Sequence, residues 1–133
     1  MKEPKFLTLD EILFLHKKQI ERFGGSHGVR DMGLLDSAVS SPSATFSGVF
    51  LYTNLFEMAA AYLFHLVMNH PFIDGNKRIG GLAADVFLTT NGYDLIADQK
   101  DFEKLILETA QGHVDKHQIS VFLKTHSRKL KSS

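Results

Sequence analysis

Cysteine is absent from the 133 residues, which excludes disulfides, thiolate zinc sites and a cysteine nucleophile. Net charge is absent too, since 15 Lys and Arg stand against 15 Asp and Glu. A general nucleic-acid binder rests on an excess of phosphate-neutralising cations, so no direct nucleic-acid partner is expected. A local basic cluster remains compatible with that sum. No apolar run reaches the roughly 18 residues of a membrane span. The opening residues 1–10 carry Lys2, Glu3, Lys5 and Asp10, where a signal peptide would be apolar. These absences predict a soluble, cytoplasmic protein without a membrane partner. Internal repeats and linkers are missing as well. What is present is ordinary for a globular protein, with 44% hydrophobic and 23% charged residues. That balance excludes a disordered tail protein. The length argues for one domain over residues 1–133.

Helical periodicity dominates and predicts an all-α fold of about six helices. Thr8 with Glu11 fits a capping box, followed by Ile12, Leu15, Ile20 and Phe23 at helical spacing and a stop at Gly24-Gly25. Glycines 24, 25, 28 and 33 make residues 24–33 a loop, after which Asp31 caps a short helix through Leu34, Leu35, Ala38 and Val39. Residues 40–53 mix turn-formers with Phe46, Val49, Phe50 and Tyr52, which reads as a small surface flap, either a short hairpin or a connecting loop. Asn54 with Glu57 repeats the capping signal. Residues 55–69 are then apolar nearly all round, the pattern of a buried core helix. A second strong helix spans 76–90 and closes at Asn91-Gly92. A short extended piece at 93–96 and amphipathic helices at 100–111 and 116–126 follow. The basic tail 127–133 is expected to fray.

The informative segment joins the two central helices and reads His70-Pro71-Phe72-Ile73-Asp74-Gly75-Asn76-Lys77-Arg78. Pro71 ends the first helix, because it removes an amide and disfavours helix at His70. Gly75 lets the chain curl and lets an anion approach the free amides of the next helix. Lys77 and Arg78 fall in a first turn, where the macrodipole disfavours cations by roughly 0.3–1 kcal/mol each. A bound anion would reverse that sign. Two cations with free amides can hold a polyphosphate, Asp74 can hold the magnesium that travels with it, and His70 can accept a proton from a hydroxyl. On chemistry alone the segment is either a phosphoryl- or nucleotidyl-transfer site or a solvated interhelical loop. On the first reading, Arg78→Ala would slightly stabilise the empty protein by removing a cation from the positive helix end.

The same residues resemble the Fic/Doc signature. The Asn76-Lys77-Arg78 ending is similar to the Doc (death-on-curing) branch, H-x-F-x-[DN]-[AG]-N-K-R, at every defined position. The resemblance implies a Fido fold, a central helix-loop-helix carrying the motif, and a toxin paired with an antitoxin of the Phd type. It implies a kinase-like transferase that moves a phosphoryl group from ATP, with Mg2+, to a Ser or Thr of a protein such as elongation factor Tu. His70 would then be the base, Phe72 a buried pin beside Pro71, and Asp74 the magnesium ligand. Asn76 would orient a phosphate, Gly75, Lys77 and Arg78 would complete the nucleotide site, and the flap at 40–53 would hold the target beside it.

Departures from the family refine that reading. The AMP-transferring Fic pattern has a glycine where Lys77 stands and an arginine where Gly81 stands. Both differences favour phosphoryl over AMP transfer, with an inactive antitoxin-binding repressor module as the remaining class. Met68 replaces a basic residue expected two positions before the histidine, and Arg22 or Arg30 could supply the missing charge. Thr53 and Glu57 have the spacing of an inhibitory [ST]-x-x-x-E-[GN] motif, but Met58 follows and the motif is rejected. His65 reads as a structural histidine with a minor chance of orienting His70. His113 and His117 read as a solvated helix end rather than metal ligands.

Overall fold

Five of the six α-helices begin at a side chain that accepts a free first-turn amide, and the sixth does not. This computed structural model describes residues 3–131. Helix α1 (Leu9–Phe23) follows Thr8, α2 (Met32–Ser40) follows Asp31, and α3 (Leu55–Met68) follows Asn54. Helix α4 (Asn76–Thr90) follows Gly75, which has no side chain to cap it. Helix α5 (Gln99–Ala110) follows Asp98, and α6 (Lys116–Thr125) follows Asp115. A capping side chain contributes about 1 kcal/mol, so the bare start of α4 stands out.

Helix α3 occupies the centre, with residues 58–63, Leu66 and Val67 buried against α2, α4, α5 and α6. Helix α4 runs back along it. The rings of Tyr62 and Phe87 lie 5.3 Å apart near one end, and Gly80 meets Leu63 and Val67 nearer the other. A Cβ at Gly80 would lie 2.7 Å from Val67 Cγ2 and 3.1 Å from the Leu63 carbonyl oxygen, so the bare backbone sets the interhelical approach. The leading segment crosses the same core. The Tyr62 hydroxyl accepts from the Leu7 amide at 2.9 Å, and burial pushes its pKa up to about 12.

Two short antiparallel sheets complete the fold. Strands β1 (Thr45–Phe46) and β2 (Val49–Phe50) pair as a hairpin, so the flap is a hairpin rather than a plain loop. Its position corrects the expectation that it lies beside the motif. The Phe50 ring packs 5.6 Å from Phe6, which packs 5.7 Å from Phe87. Phe87 lies about 14 Å along α4 from Arg78 at 1.5 Å per residue. An apolar anchor has drawn the flap toward the far end of the helix pair.

The tail is the second correction. Strand β3 (Tyr93–Leu95) pairs with β4 (Ser127–Lys129) in the register Tyr93↔Lys129, Asp94↔Arg128, Leu95↔Ser127. Arg128 adds an ion pair to Asp94 at 3.2 Å. Residues 127–130 are therefore held against the fold: β3 and Gly92 satisfy backbone groups that the polar tail cannot satisfy itself. The last two residues of the frayed-tail expectation lie outside the described residues. No helix of the described residues is long and apolar enough to cross a membrane.

Gly80→Ala tests the interhelical contact. Helix propensity favours alanine by about 1 kcal/mol, whereas overpacking costs typically about 1–3 kcal/mol. Because one clashing atom is backbone, we expect net destabilisation of about 1–2 kcal/mol in urea unfolding. An increase in stability would show that α3 and α4 can move apart at little cost.

Candidate active site

The turn between α3 and α4 must satisfy its own polar groups, because both flanking helices are buried. Phe72 is 1% exposed and plugs the core. Asn76 brackets it: Oδ1 accepts from the Phe72 amide at 2.9 Å and Nδ2 donates to the Phe72 carbonyl at 3.0 Å. The glycine-rich loop after α1 lies along the outer side. Ile73 N–H donates to the Gly28 carbonyl, Val29 bridges Phe72, and the Arg30 and Asp31 amides donate to the Pro71 carbonyl.

His70 stands at the exit of α3 with φ +48°, a left-handed conformation that costs a non-glycine residue free energy. Arg30 holds it there. Its Nε donates to the His70 carbonyl at 2.6 Å and its guanidinium nitrogen to the Asn69 carbonyl at 2.9 Å. The exposed His70 imidazole makes no hydrogen bond to the described residues, which leaves it available to an incoming proton donor.

A cleft of about 480 Å³ opens beside it. Gln19, Ile20 and Phe23 of α1 with Gly24 and Gly25 form one wall, Ile73 another, and Asp74 to Arg78 the floor. Gly75 is left-handed (φ +78°), which turns the chain into α4 and leaves the amides of Asn76, Lys77 and Arg78 without acceptors among the described residues. Asp74 Oδ1 accepts from the Gly75 amide at 2.9 Å and Oδ2 from the Ser26 amide at 3.2 Å. Its exposed carboxylate keeps further lone pairs for a cation. Among the described residues, neither Lys77 nor Arg78 pairs with a carboxylate. Arg78 instead lies over the Phe23 ring, 4.3 Å from its centroid.

The floor rests on a residue that sequence reasoning missed. His16 of α1 is 4% exposed, its ring stacks on Phe72 at 3.7 Å and 7°, and its Nε2 lies 2.7 Å from the Asp74 carbonyl oxygen. Burial lowers its pKa, so the ring is a neutral donor through Nε2. A histidine four positions before Ile20 on the apolar face of α1 was the available signal, and it reads locally as core.

The other candidates fall as follows. Asn76 is buried, and its amide is committed to Phe72, so it holds the loop rather than presenting that amide to a ligand. Neither Arg22 nor Arg30 lines the cleft; the Arg30 charge is spent on two carbonyls, and Met68 is left uncompensated. Gly81 faces α5, where a Cβ would lie 2.7 Å from Ile106 Cδ1 and 3.3 Å from Phe102. His65 turns to Lys116, with Nε2 3.3 Å from Nζ, while Lys116 donates to the Tyr52 hydroxyl at 2.9 Å. Glu57 accepts from the amide and hydroxyl of Thr53, as a helix cap. The exposed His113 pairs with Glu108 at 2.8 Å. No residue of 40–53 lines the cleft.

These features define a mostly helical protein with a cation-lined cleft at an uncapped helix start. A sequence model of the Fic/DOC family matches residues 6–88. Over 76 residues the chain is 53% identical to the protein named Toxin Doc of Mycolicibacterium smegmatis, covering 57% of this chain and 58% of that relative. It is 30% identical over 110 residues to the Protein kinase doc of Escherichia phage P1, covering 83% of this chain and 86% of that relative. The chain belongs to the Fic/DOC family, in its Doc toxin branch.

Buried His16 and half-buried His65 are expected to make stability depend on pH. Burial, with the Lys116 charge second, lowers the His65 pKa from 6.5 to about 4, and burial lowers His16 as well. A depressed histidine binds fewer protons folded than unfolded, so stability is full above about pH 6.5 and falls as pH drops toward 4. We expect the urea midpoint to decline over that window, and less so in His65→Phe. An identical decline in that variant would remove His65 as a source.

Proposed function

We propose that this protein is a Doc-like toxin that transfers the γ-phosphoryl group of ATP to a Ser or Thr hydroxyl of a target protein. One juxtaposition carries the reading: an imidazole without a hydrogen bond, two cations without a carboxylate partner and three helix amides without an acceptor, all among the described residues, share one cleft. His70 takes the hydroxyl proton, the hydroxyl oxygen attacks the γ-phosphorus, and the bond to the β–γ bridging oxygen breaks to release ADP. The amides of Asn76 to Arg78, with the Lys77 and Arg78 side chains, stabilise phosphate charge. Asn76 acts by keeping the loop in register, and Arg30 by holding His70 at its strained backbone angle.

Asp74 fits a magnesium site of the kind that one carboxylate shares with substrate phosphates and water. When bound there, the ion would neutralise and orient the phosphates. Two observations support phosphoryl over AMP transfer. Lys77 projects at the cleft where the AMP-transferring pattern has a glycine. Position 81, where that pattern has its second arginine, is packed under Phe102 and Ile106. A translation factor such as elongation factor Tu is the proposed target, and a Phd-like antitoxin the proposed partner. The names of the relatives, a toxin and a protein kinase, support the toxin and the kinase-like parts of the reading.

Intact mass spectrometry of purified elongation factor Tu after incubation with the protein and Mg-ATP tests the reaction. Phosphoryl transfer adds about 80 Da and AMP transfer about 329 Da. We expect the smaller gain, and a loss of about 10² to 10⁴ in its rate for His70→Ala with the fold intact. Undiminished transfer by that variant would remove His70 as the base. No gain with the wild type would favour the binding-module class for this target.

Ligand linkage tests the phosphate site separately. Mg-ATP at about 100 times its dissociation constant adds roughly 2.7 kcal/mol to unfolding, a rise of several degrees in a chain this size. Arg78→Ala is expected to remove most of that rise. The Phe23 contact changes the expectation for the empty variant. A cation–π contact of about 0.5–1 kcal/mol offsets the dipole penalty of about 0.3–1 kcal/mol, so stability without ligand should barely change. A full thermal shift in Arg78→Ala would overturn the phosphate role.

A further inference from the structure

We infer that His16 is a positioning residue of the cleft floor, setting the Asp74–Gly75 turn that opens the first amides of α4 to a ligand. The inference rests on the proposed nucleotide site for its functional consequence, but its geometry stands by itself. His16 belongs to α1, far in sequence from the motif, and is 4% exposed. Its two contacts have different jobs. The ring face lies parallel on Phe72 and supplies apolar volume. The Nε2–H reaches the Asp74 carbonyl at 2.7 Å, an oxygen with no other hydrogen bond among the described residues.

That donor fixes the peptide plane between Asp74 and Gly75. The plane determines where the Asp74 carboxylate leaves the chain and how Gly75 enters its left-handed conformation. Gly75 is also moulded from beneath, because a Cβ there would lie 3.2 Å from Ile20 Cδ1 and 3.5 Å from His16 Nε2. The Gly75 carbonyl then accepts from the Ile79 amide at 3.0 Å, the first backbone bond of α4. A loosened turn therefore frays the end of α4 that holds Lys77 and Arg78. The ring alone would make His16 a core filler. The donor makes it part of the site.

The two roles separate by substitution. His16→Phe keeps the stacked ring and removes the donor, leaving a carbonyl without a partner. His16→Gln keeps a donor of similar reach and removes the ring. In the unliganded protein, we expect amide exchange at Ile79 to quicken at least roughly tenfold in His16→Phe, with exchange at Leu66 unchanged. Calorimetric titration with Mg-ATP should show roughly tenfold weaker binding by His16→Phe. His16→Gln should bind near the wild-type value although it unfolds at lower urea. A core filler gives the reverse order, with His16→Phe neutral in both readouts, and that result would overturn the inference. Should the wild type bind no Mg-ATP, the nucleotide reading fails, while Ile79 exchange still decides what His16 does. Unchanged Ile79 protection in His16→Phe would overturn it in either case.

Discussion

Everything at the candidate site depends on how a polar turn is tied down between two helices that pack against each other in the core. Helix α3 and the inner side of α4 are committed to the core, so the residues between them meet the surface with backbone groups that neither helix can satisfy. Asn76 answers this by taking both the amide and the carbonyl of Phe72, while Phe72 seals the core behind it. With that bracket in place, Asp74 and Gly75 are thrown outward and α4 starts in the open. Without it, the motif would be a string of suitable residues with no common geometry.

Several local rules are broken within a few residues of this bracket. His70 is a non-glycine residue at positive φ, α4 lacks a side-chain cap, and Lys77 and Arg78 sit at the helix end that repels cations. Each is unfavourable alone. Each is also held by something outside the motif: the Arg30 fork at His70, the His16 donor at Asp74, the Phe23 ring at Arg78. Local conflicts concentrated in one place and supported from elsewhere are expected where a surface is shaped for a ligand rather than for stability.

The surroundings narrow what the cleft can accept. Helix α5 covers Gly81, so α4 presents its cations from the first turn alone. The hairpin at 45–50 is anchored through Phe50 to Phe6, and the wall beside the cleft is the glycine-rich loop that follows α1. Gly24 and Gly25 of that loop, and no residue of the hairpin, line the cleft with His70. His65, one turn before the loop, is tied to Lys116, which also donates to Tyr52, and links α3 to α6 instead.

The helices and the motif were legible in the sequence, because both are written in local patterns. The Thr8–Glu11 and Asn54–Glu57 pairs, the all-apolar run of α3 and the His70-to-Arg78 string each depend on residues a few positions apart. The buried place of Phe72 followed from the family resemblance of that string. What local pattern could not express was contact between distant residues. The polar tail became a strand only because β3 offered it an edge. The flap went to the far end because Phe50 found Phe6. The resemblance gave Asn76 a phosphate to orient and left Arg30 as one of two arginines to supply a missing charge, and tertiary structure ties both side chains to backbone. His16 carried no signal in its own neighbourhood, since a histidine on an apolar helix face acquires its meaning only when Asp74 arrives from 58 residues away. Sequence by itself determined which groups are present and which helices carry them. Packing decided which of those groups remain unpaired and can meet a ligand, because a hydrogen bond between distant residues exists only after the chain has folded.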